Sequence, residues 1–300
     1  GYRVRALVRY SSSNHWGWLE PSLQDSGLDV RIGDVRDLDT CLSALEGAET
    51  VFHLAALIGI PYSYRAPLSY LRTNVEGTYN VLQAARVHGV ANVVVTSTSE
   101  VYGTAEYVPM DERHPLNAQS PYAASKIAAD QLALSFHRSF GLPVRVARPF
   151  NVYGPRQSAR AVIPTVITQI LDGRRELKLG NLTPTRDLTY VRDTVEGFLA
   201  VSECAALAGQ VTHIGGNTEI SVGDLVSTIA RIMGVEVTVV SEEERQRRPG
   251  SEVERLVCDN RRLLTSTSWR PRHDLHAGLR ATIDWFANHR TLYTPTRYSV

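Results

Sequence analysis

Thr96-Ser97-Thr98-Ser99-Glu100-Val101-Tyr102-Gly103, directly after Val93-Val94-Val95, is the stretch on which the fold turns. Asn92 to Ser97 reads as a buried strand, and Thr98 lies at its carboxyl end, where open α/β sheets gather their ligands. Further along, Pro121-Tyr122-Ala123-Ala124-Ser125-Lys126 opens a helix. Residues four apart share a helix face, so Tyr122 and Lys126 point the same way. An ammonium beside a phenol favours the phenolate, and such a phenol takes a proton from an alcohol near neutral pH. Alone, the Tyr-x-x-x-Lys spacing fits an ordinary exposed helix face equally well. Its order after the strand-end hydroxyls, and before Arg148-Pro149-Phe150-Asn151-Val152-Tyr153-Gly154-Pro155-Arg156, selects alcohol oxidation.

Outward from this core, strand and helix signals alternate. Arg3–Arg9, Leu28–Ile32 and Val51–Ala55 read as strands, and Leu38–Leu45 and Tyr70–His88 as helices. A second long helix, Pro121–Phe140, is stopped by Gly141-Leu142-Pro143 and followed by a strand at Val144–Ala147. The alternation predicts an α/β, Rossmann-like, doubly wound parallel sheet with helices on both faces. Beyond Arg148 prolines interrupt the pattern. Helices are expected at Val162–Leu171, Val195–Cys204 and Ser221–Met233, and short strands at Leu177–Leu179, Val211–Ile214 and Val235–Val240. Residues 1–147, with about 187–214 and 256–262, are expected to form the sheet domain. Residues 148–186 and about 215–300 are expected to form a smaller C-terminal α/β lobe.

Composition bounds the function. A hydrophobic fraction of 43%, a charged fraction of 21% and a formal charge of +1 describe a globular chain with no field for nucleic acid or membrane. Cys41, Cys204 and Cys258 are too dispersed for a disulfide framework or a zinc site, and the histidines show no metal spacing. A cytoplasmic setting is the default. Arg245, Arg247, Arg248 and Arg255, mixed with Glu242, Glu243, Glu244, Glu252 and Glu254, read either as a solvated loop or as a diphosphate contact.

With these residues in view, the chain resembles the extended short-chain dehydrogenase/reductase family, the nucleotide-sugar epimerases and dehydratases, over nearly its whole length. Val51-Phe52-His53-Leu54-Ala55-Ala56 resembles the strand that passes the cofactor, and Asn74-Val75-Glu76-Gly77-Thr78 the following helix start. Thr185-Arg186-Asp187-Leu188-Thr189-Tyr190-Val191-Arg192-Asp193 resembles the late strand-to-helix segment. Leu7-Val8-Arg9-Tyr10-Ser11, Trp16-Gly17-Trp18-Leu19-Glu20 and Ile60-Pro61-Tyr62-Ser63-Tyr64 are similar to the dehydratases of legionaminic acid biosynthesis, which act on nucleotide-linked N-acetylglucosamine. One departure stands out: the first strand and glycine-rich turn that hold the cofactor pyrophosphate are not found, and we expect the true N-terminus to precede Gly1.

The resemblance implies a 4,6-dehydratase working with NAD or NADP. Tyr122 takes the proton of the sugar 4-hydroxyl, Thr98 orients that oxygen, and Lys126 lowers the tyrosine pKa and holds the nicotinamide ribose. Glu100 takes the C5 proton, and Ser99 accompanies it as in the GDP-mannose dehydratase form. Cofactor contacts are expected from Arg9, Asp34, Val35, Leu54, Ala55, Ala56, Asn74, Thr96, Tyr122, Lys126 and Pro149. Arg9, standing where NAD enzymes carry an acid, tilts the choice towards NADP. Asn151, Arg186, Arg255 and Tyr62 are expected to bind the nucleotide sugar, and the two long helices a homodimer partner. A 4-epimerase of the same fold and a non-catalytic relative are the alternatives.

Overall fold

The computed structural model describes residues 2–13, 15–22, 24, 27–242 and 249–293; Arg245, Arg247, Arg248, Glu243 and Glu244 lie outside the described residues. The first half follows the expected alternation: β1 (Val4–Val8), β2 (Leu28–Ile32), α1 (Leu38–Leu45), β3 (Thr50–His53), α2 (Ile60–Arg65), α3 (Pro67–Tyr70), α4 (Gly77–Val87), β4 (Asn92–Thr96), α5 (Pro121–Phe140) and β5 (Val144–Pro149). The helix read as Tyr70–His88 is interrupted by a π-helical turn at Leu71–Glu76. Gly77 follows it because the Val35 side chain would lie 2.8 Å from any Cβ there. In α5, the Ser120 hydroxyl accepts from Ala123 N at 3.1 Å, and Gly141, with φ 69°, takes the left-handed turn that ends the helix.

The second half contains β6 (Asn151–Tyr153), α6 (Val162–Leu171), β7 (Glu176–Leu179), β8 (Thr185–Arg186), β9 (Leu188–Tyr190), α7 (Val191–Glu203), β10 (Val211–Ile214), β11 (Ile220–Ser221), α8 (Val222–Ile232), β12 (Thr238–Ser241), β13 (Arg255–Leu256), α9 (Arg261–Ser266) and α10 (Leu275–Asn288). The strand expected over Val235–Val240 is shorter and later. Val235, Val237 and Val239 all pack on the α6–α8–α10 core, but pairing with β7 begins only at Thr238.

The central sheet has the order β10-β5-β4-β3, all parallel, while β1 and β2 pair in parallel as a separate two-stranded sheet. The valines of β4 show why both faces are covered. Val93 and Val95 enter the core shared with α1, α4 and α5, whereas Val94 enters the core that holds Val201 of α7, Leu263 of α9 and Trp269. All three valines are fully buried, each worth about 1.5–3 kcal/mol over exposure. Trp269 thus packs with the sheet, further along the chain than the expected return at 256–262. The β1–β2 pair is fastened through Arg5, whose Nη1 donates to the carbonyls of Ala44 and Glu46 at 3.0 and 2.7 Å. A further core unites α6, α8 and α10 with β7. No helix among the described residues is long and apolar enough to cross a membrane.

Candidate active site

The carboxyl end of β4 and the first turn of α5 form one corner. Past β4 the chain enters a 3-10 turn, Ser99–Tyr102, whose N-cap is Thr98; the Thr98 hydroxyl accepts from Glu100 N at 3.3 Å. This turn buries Ser99 and Glu100. Tyr122, also buried, sits in the first turn of α5 with Thr98 as a hydrogen-bonding partner of its phenol and the Glu100 carboxylate close enough to act on it. Its ring meets Tyr70 edge-on at 6.2 Å, and Tyr70 lies 6.1 Å from Tyr62, which is 40% exposed. Thr98, Glu100 and Tyr122 are therefore gathered in one place, with Tyr62 two rings away.

The expected electrostatics need correction. Burial pushes the Tyr122 phenol above the ordinary tyrosine value, Thr98 opposes this, and Glu100, Asp130 and Tyr70 add to the rise. Lys126, one turn further along α5, donates its Nζ to the Thr96 carbonyl at 2.5 Å, and burial lowers the lysine's own pKa. The ammonium is thus anchored at the strand end, with its charge still available to the groups around it.

The cofactor residues fall into two groups. Leu54 and Ala55 are exposed and Ala56 half-buried just past β3, and Pro149 ends β5. The Thr96 hydroxyl, buried at the same edge, has no hydrogen-bond partner. Such an orphaned donor beside an open apolar shelf fits a nicotinamide ribose held by Tyr122 and Lys126. Arg9 and Asp34 follow β1 and β2 and are near enough to interact; Asp34 also holds Arg36 at 2.6 Å, which lowers the carboxyl pKa. Val35 is spent structurally: its side chain packs on Gly77 and its carbonyl accepts from Asn80 Nδ2 at 2.9 Å. Asn74, expected to touch the cofactor, is instead buried, with its amide bonded to both backbone groups of Leu57 and to the Ser125 hydroxyl. It joins the loop after β3 to the Tyr122 helix.

The substrate residues are divided as well. Asn151 lies at the start of β6 with its Oδ1 buried and without a partner. Arg186 is mostly buried and pairs with Glu252 at 3.4 Å. Arg255 was expected to share its diphosphate, but β13 pairs with β8 so that Arg255 stands opposite Thr185, not Arg186. Side chains alternate along strands, so the two guanidiniums leave on opposite faces. Arg255 is held instead by Glu219 at 2.6 and 2.8 Å.

Sequence reasoning missed a buried polar network directly behind the corner. Arg148 and Asp130 pair at 2.7 Å with side chains 2% and 1% exposed, and Ser97, Tyr102 and His213 join them. Asp130 was within reach of a pattern argument, since it follows Tyr122 and Lys126 at the same four-residue step. Among the described residues no group of His, Cys, Asp and Glu is arranged to hold a metal.

Comparison with known proteins identifies the family. Residues 1–282 match the family described as GDP-mannose 4,6 dehydratase. A dTDP-glucose 4,6-dehydratase of Streptomyces antibioticus is 37% identical over 265 residues, covering 88% of this chain and 78% of the relative. The crystal structure of DesIV, a dTDP-glucose 4,6-dehydratase from Streptomyces venezuelae with NAD and TYD bound, superposes with a TM-score of 0.84 at 33% identity, covering 93% of this chain and 85% of that one. RMD from Pseudomonas aeruginosa, complexed with NADPH, gives 0.80 at 28% identity over 95% and 99% of the two chains. UDP-glucose 4-epimerases are also among the relatives. The buried tyrosine, the strand-end threonine and glutamate, and these likenesses along nearly the whole sequence show that the chain belongs to the GDP-mannose 4,6-dehydratase family, NAD(P)-dependent nucleotide-sugar dehydratases of the extended short-chain dehydrogenase/reductase type.

Proposed function

We propose that this chain converts a gluco-configured nucleotide hexose into its 4-keto-6-deoxy derivative. The single observation that carries the reading is the convergence of Thr98, Tyr122 and Glu100 at one strand end. Tyr122 takes the proton of the 4-hydroxyl, and Thr98 orients that oxygen. A bound nicotinamide dinucleotide supplies the hydride acceptor and donor. Oxidation at C4 acidifies the C5 hydrogen, and Glu100, on the same turn as Thr98, takes that proton as the 6-hydroxyl leaves as water. Lys126 and the Thr96 hydroxyl would hold the nicotinamide ribose; Arg9, Asp34 and the Leu54–Ala56 shelf would line the rest. Arg9 supports NADP over NAD.

Asn151, Arg186 and Tyr62 would bind the nucleotide sugar, while Arg255 serves the lobe's surface. Glucose and N-acetylglucosamine share their configuration and differ at C2. The dTDP-glucose relatives support the first, and the segments around Trp16 and Tyr62 support the second. A dehydratase is favoured over a 4-epimerase by Glu100, an acid on the same turn as Thr98. The division into a dinucleotide-binding sheet domain and a nucleotide-sugar lobe follows the two main cores. A homodimer through α4 and α5 is supported by exposed Leu71, Tyr79 and Phe140, and would show as a dimer mass in sedimentation. A cytoplasmic setting suits three unpaired cysteines. Mass spectrometry of products from dTDP-glucose and UDP-N-acetylglucosamine tests the activity: a product lighter by one water supports it, whereas an isomer of unchanged mass selects the epimerase.

A further inference from the structure

Arg148 occupies an unusual place among the buried groups. Its Nε donates to the Ser97 hydroxyl at 3.1 Å, its Nη2 to Asp130 Oδ2 at 2.7 Å and its Nη1 to the Tyr102 hydroxyl. Ser97 in turn donates to Asp130 Oδ2 at 2.5 Å, and the guanidinium carbon lies 4.7 Å from the centre of the Tyr102 ring. Donor accounting fixes the rest of the chain. His213 Nδ1 faces the Asp259 carbonyl at 3.3 Å and must donate there, so its Nε2 accepts from the Tyr102 hydroxyl at 2.5 Å. Burial holds the tyrosine protonated, up to about 12, and His213 neutral, down to about 3.

The sequence positions of these partners matter more than their number. Ser97 immediately precedes Thr98. Tyr102 is the last residue of the turn that carries Glu100. Asp130 stands one and two helical steps beyond Lys126 and Tyr122 on α5. A buried ion pair gives little net stability over well-packed apolar residues, so its cost calls for another explanation. We propose that Arg148, with Asp130, is a positioning residue that sets the register of the reacting groups, gripping the Thr98–Glu100 turn at both ends and tying it to the helix of Tyr122 and Lys126. The Ser97 end of the grip governs Thr98, and hence proton removal at the 4-hydroxyl. The Tyr102 end governs Glu100, and hence proton removal at C5.

This inference rests on the dehydratase reading, and its test separates the two. Ser97→Ala and Tyr102→Phe each cut one end of the grip; Arg148→Lys keeps the charge but loses the fork. Oxidation at C4 is read as nicotinamide absorbance in a single turnover with dTDP-glucose. Deprotonation at C5 is read as deuterium incorporation from D2O. Tyr102→Phe is expected to slow C5 exchange about tenfold while C4 oxidation falls by less than about threefold; Ser97→Ala is expected to slow C4 oxidation about tenfold, with C5 exchange, which waits on the 4-ketone, falling no further than C4 oxidation does. Arg148→Lys slows both about tenfold with KM within about twofold. Equal losses in both steps that track a falling Tm, or wild-type rates in both single variants, would overturn the proposal. If the wild-type protein gives only an epimer, the dehydratase reading fails. The grip is then judged on C4 oxidation alone, which Ser97→Ala must slow more than Tyr102→Phe does.

Discussion

Around Tyr122 nearly every polar group is buried and tied to a strand or a long helix. At the rims, Arg9 and Leu54 stand on loops and Tyr62 on the short helix α2, all exposed. In the proposed reaction the two regions solve different problems. Proton transfer needs reacting atoms held to a fraction of an ångström, so its groups sit at β4 and α5 with a polar network behind them. Binding a long nucleotide needs many weaker contacts that adjust to it, and exposed loops supply these. The contrast teaches where substitutions should hurt: chemistry is lost in the corner, and affinity is graded at the rim.

The largest effect is expected at the corner's centre. Tyr122→Phe should lower kcat by about a thousandfold with the fold intact by circular dichroism. Because burial raises the phenol, its ultraviolet ionisation in the protein alone should begin above the usual tyrosine value of about 10; a titration there at neutral pH would break the argument. Next, Glu100→Gln should reduce elimination about a hundredfold while nicotinamide reduction persists. A fully active variant would remove the acid from the mechanism. Behind the corner, Arg148→Met should cost about 3 kcal/mol in urea unfolding by leaving the Asp130 carboxylate buried and uncompensated, and Arg148→Met with Asp130→Leu should recover much of it. At the rim the effects shrink. Arg9→Glu should shift the ratio of NADP to NAD affinity about tenfold towards NAD, read by titration calorimetry. Smallest of all, Arg255→Ala should change KM by no more than about twofold, whereas Arg186→Ala should raise it about tenfold, because only Arg186 shares the face of Glu252.

The same contrast explains what could be read from sequence. Hydrophobic period and helix signals are local, so β4, α5 and the pairing of Tyr122 with Thr98 were legible from Val93-Val94-Val95, Ser120 and the four-residue step. What depends on register across strands was not. Arg186 and Arg255 look equivalent in a line of text, and only the pairing of β13 with β8 sends them to opposite faces. The Lys126 ammonium seemed to face the phenol alone, but its Nζ is anchored on the Thr96 carbonyl, thirty residues earlier. Asn74 carried a family likeness to a cofactor contact, yet Leu57 and Ser125 use up its amide. In each case a long-range partner, invisible to spacing, outcompeted the nearer guess.

β1 and β3 each hydrogen-bond a neighbour along one flank, β2 or β4, and no described strand pairs with the other flank. Val4, Phe52 and Leu54, at 53%, 37% and 63% exposure, lie beside those flanks. An edge of that kind can take one further parallel strand, and the same addition would cover the apolar side chains beside it.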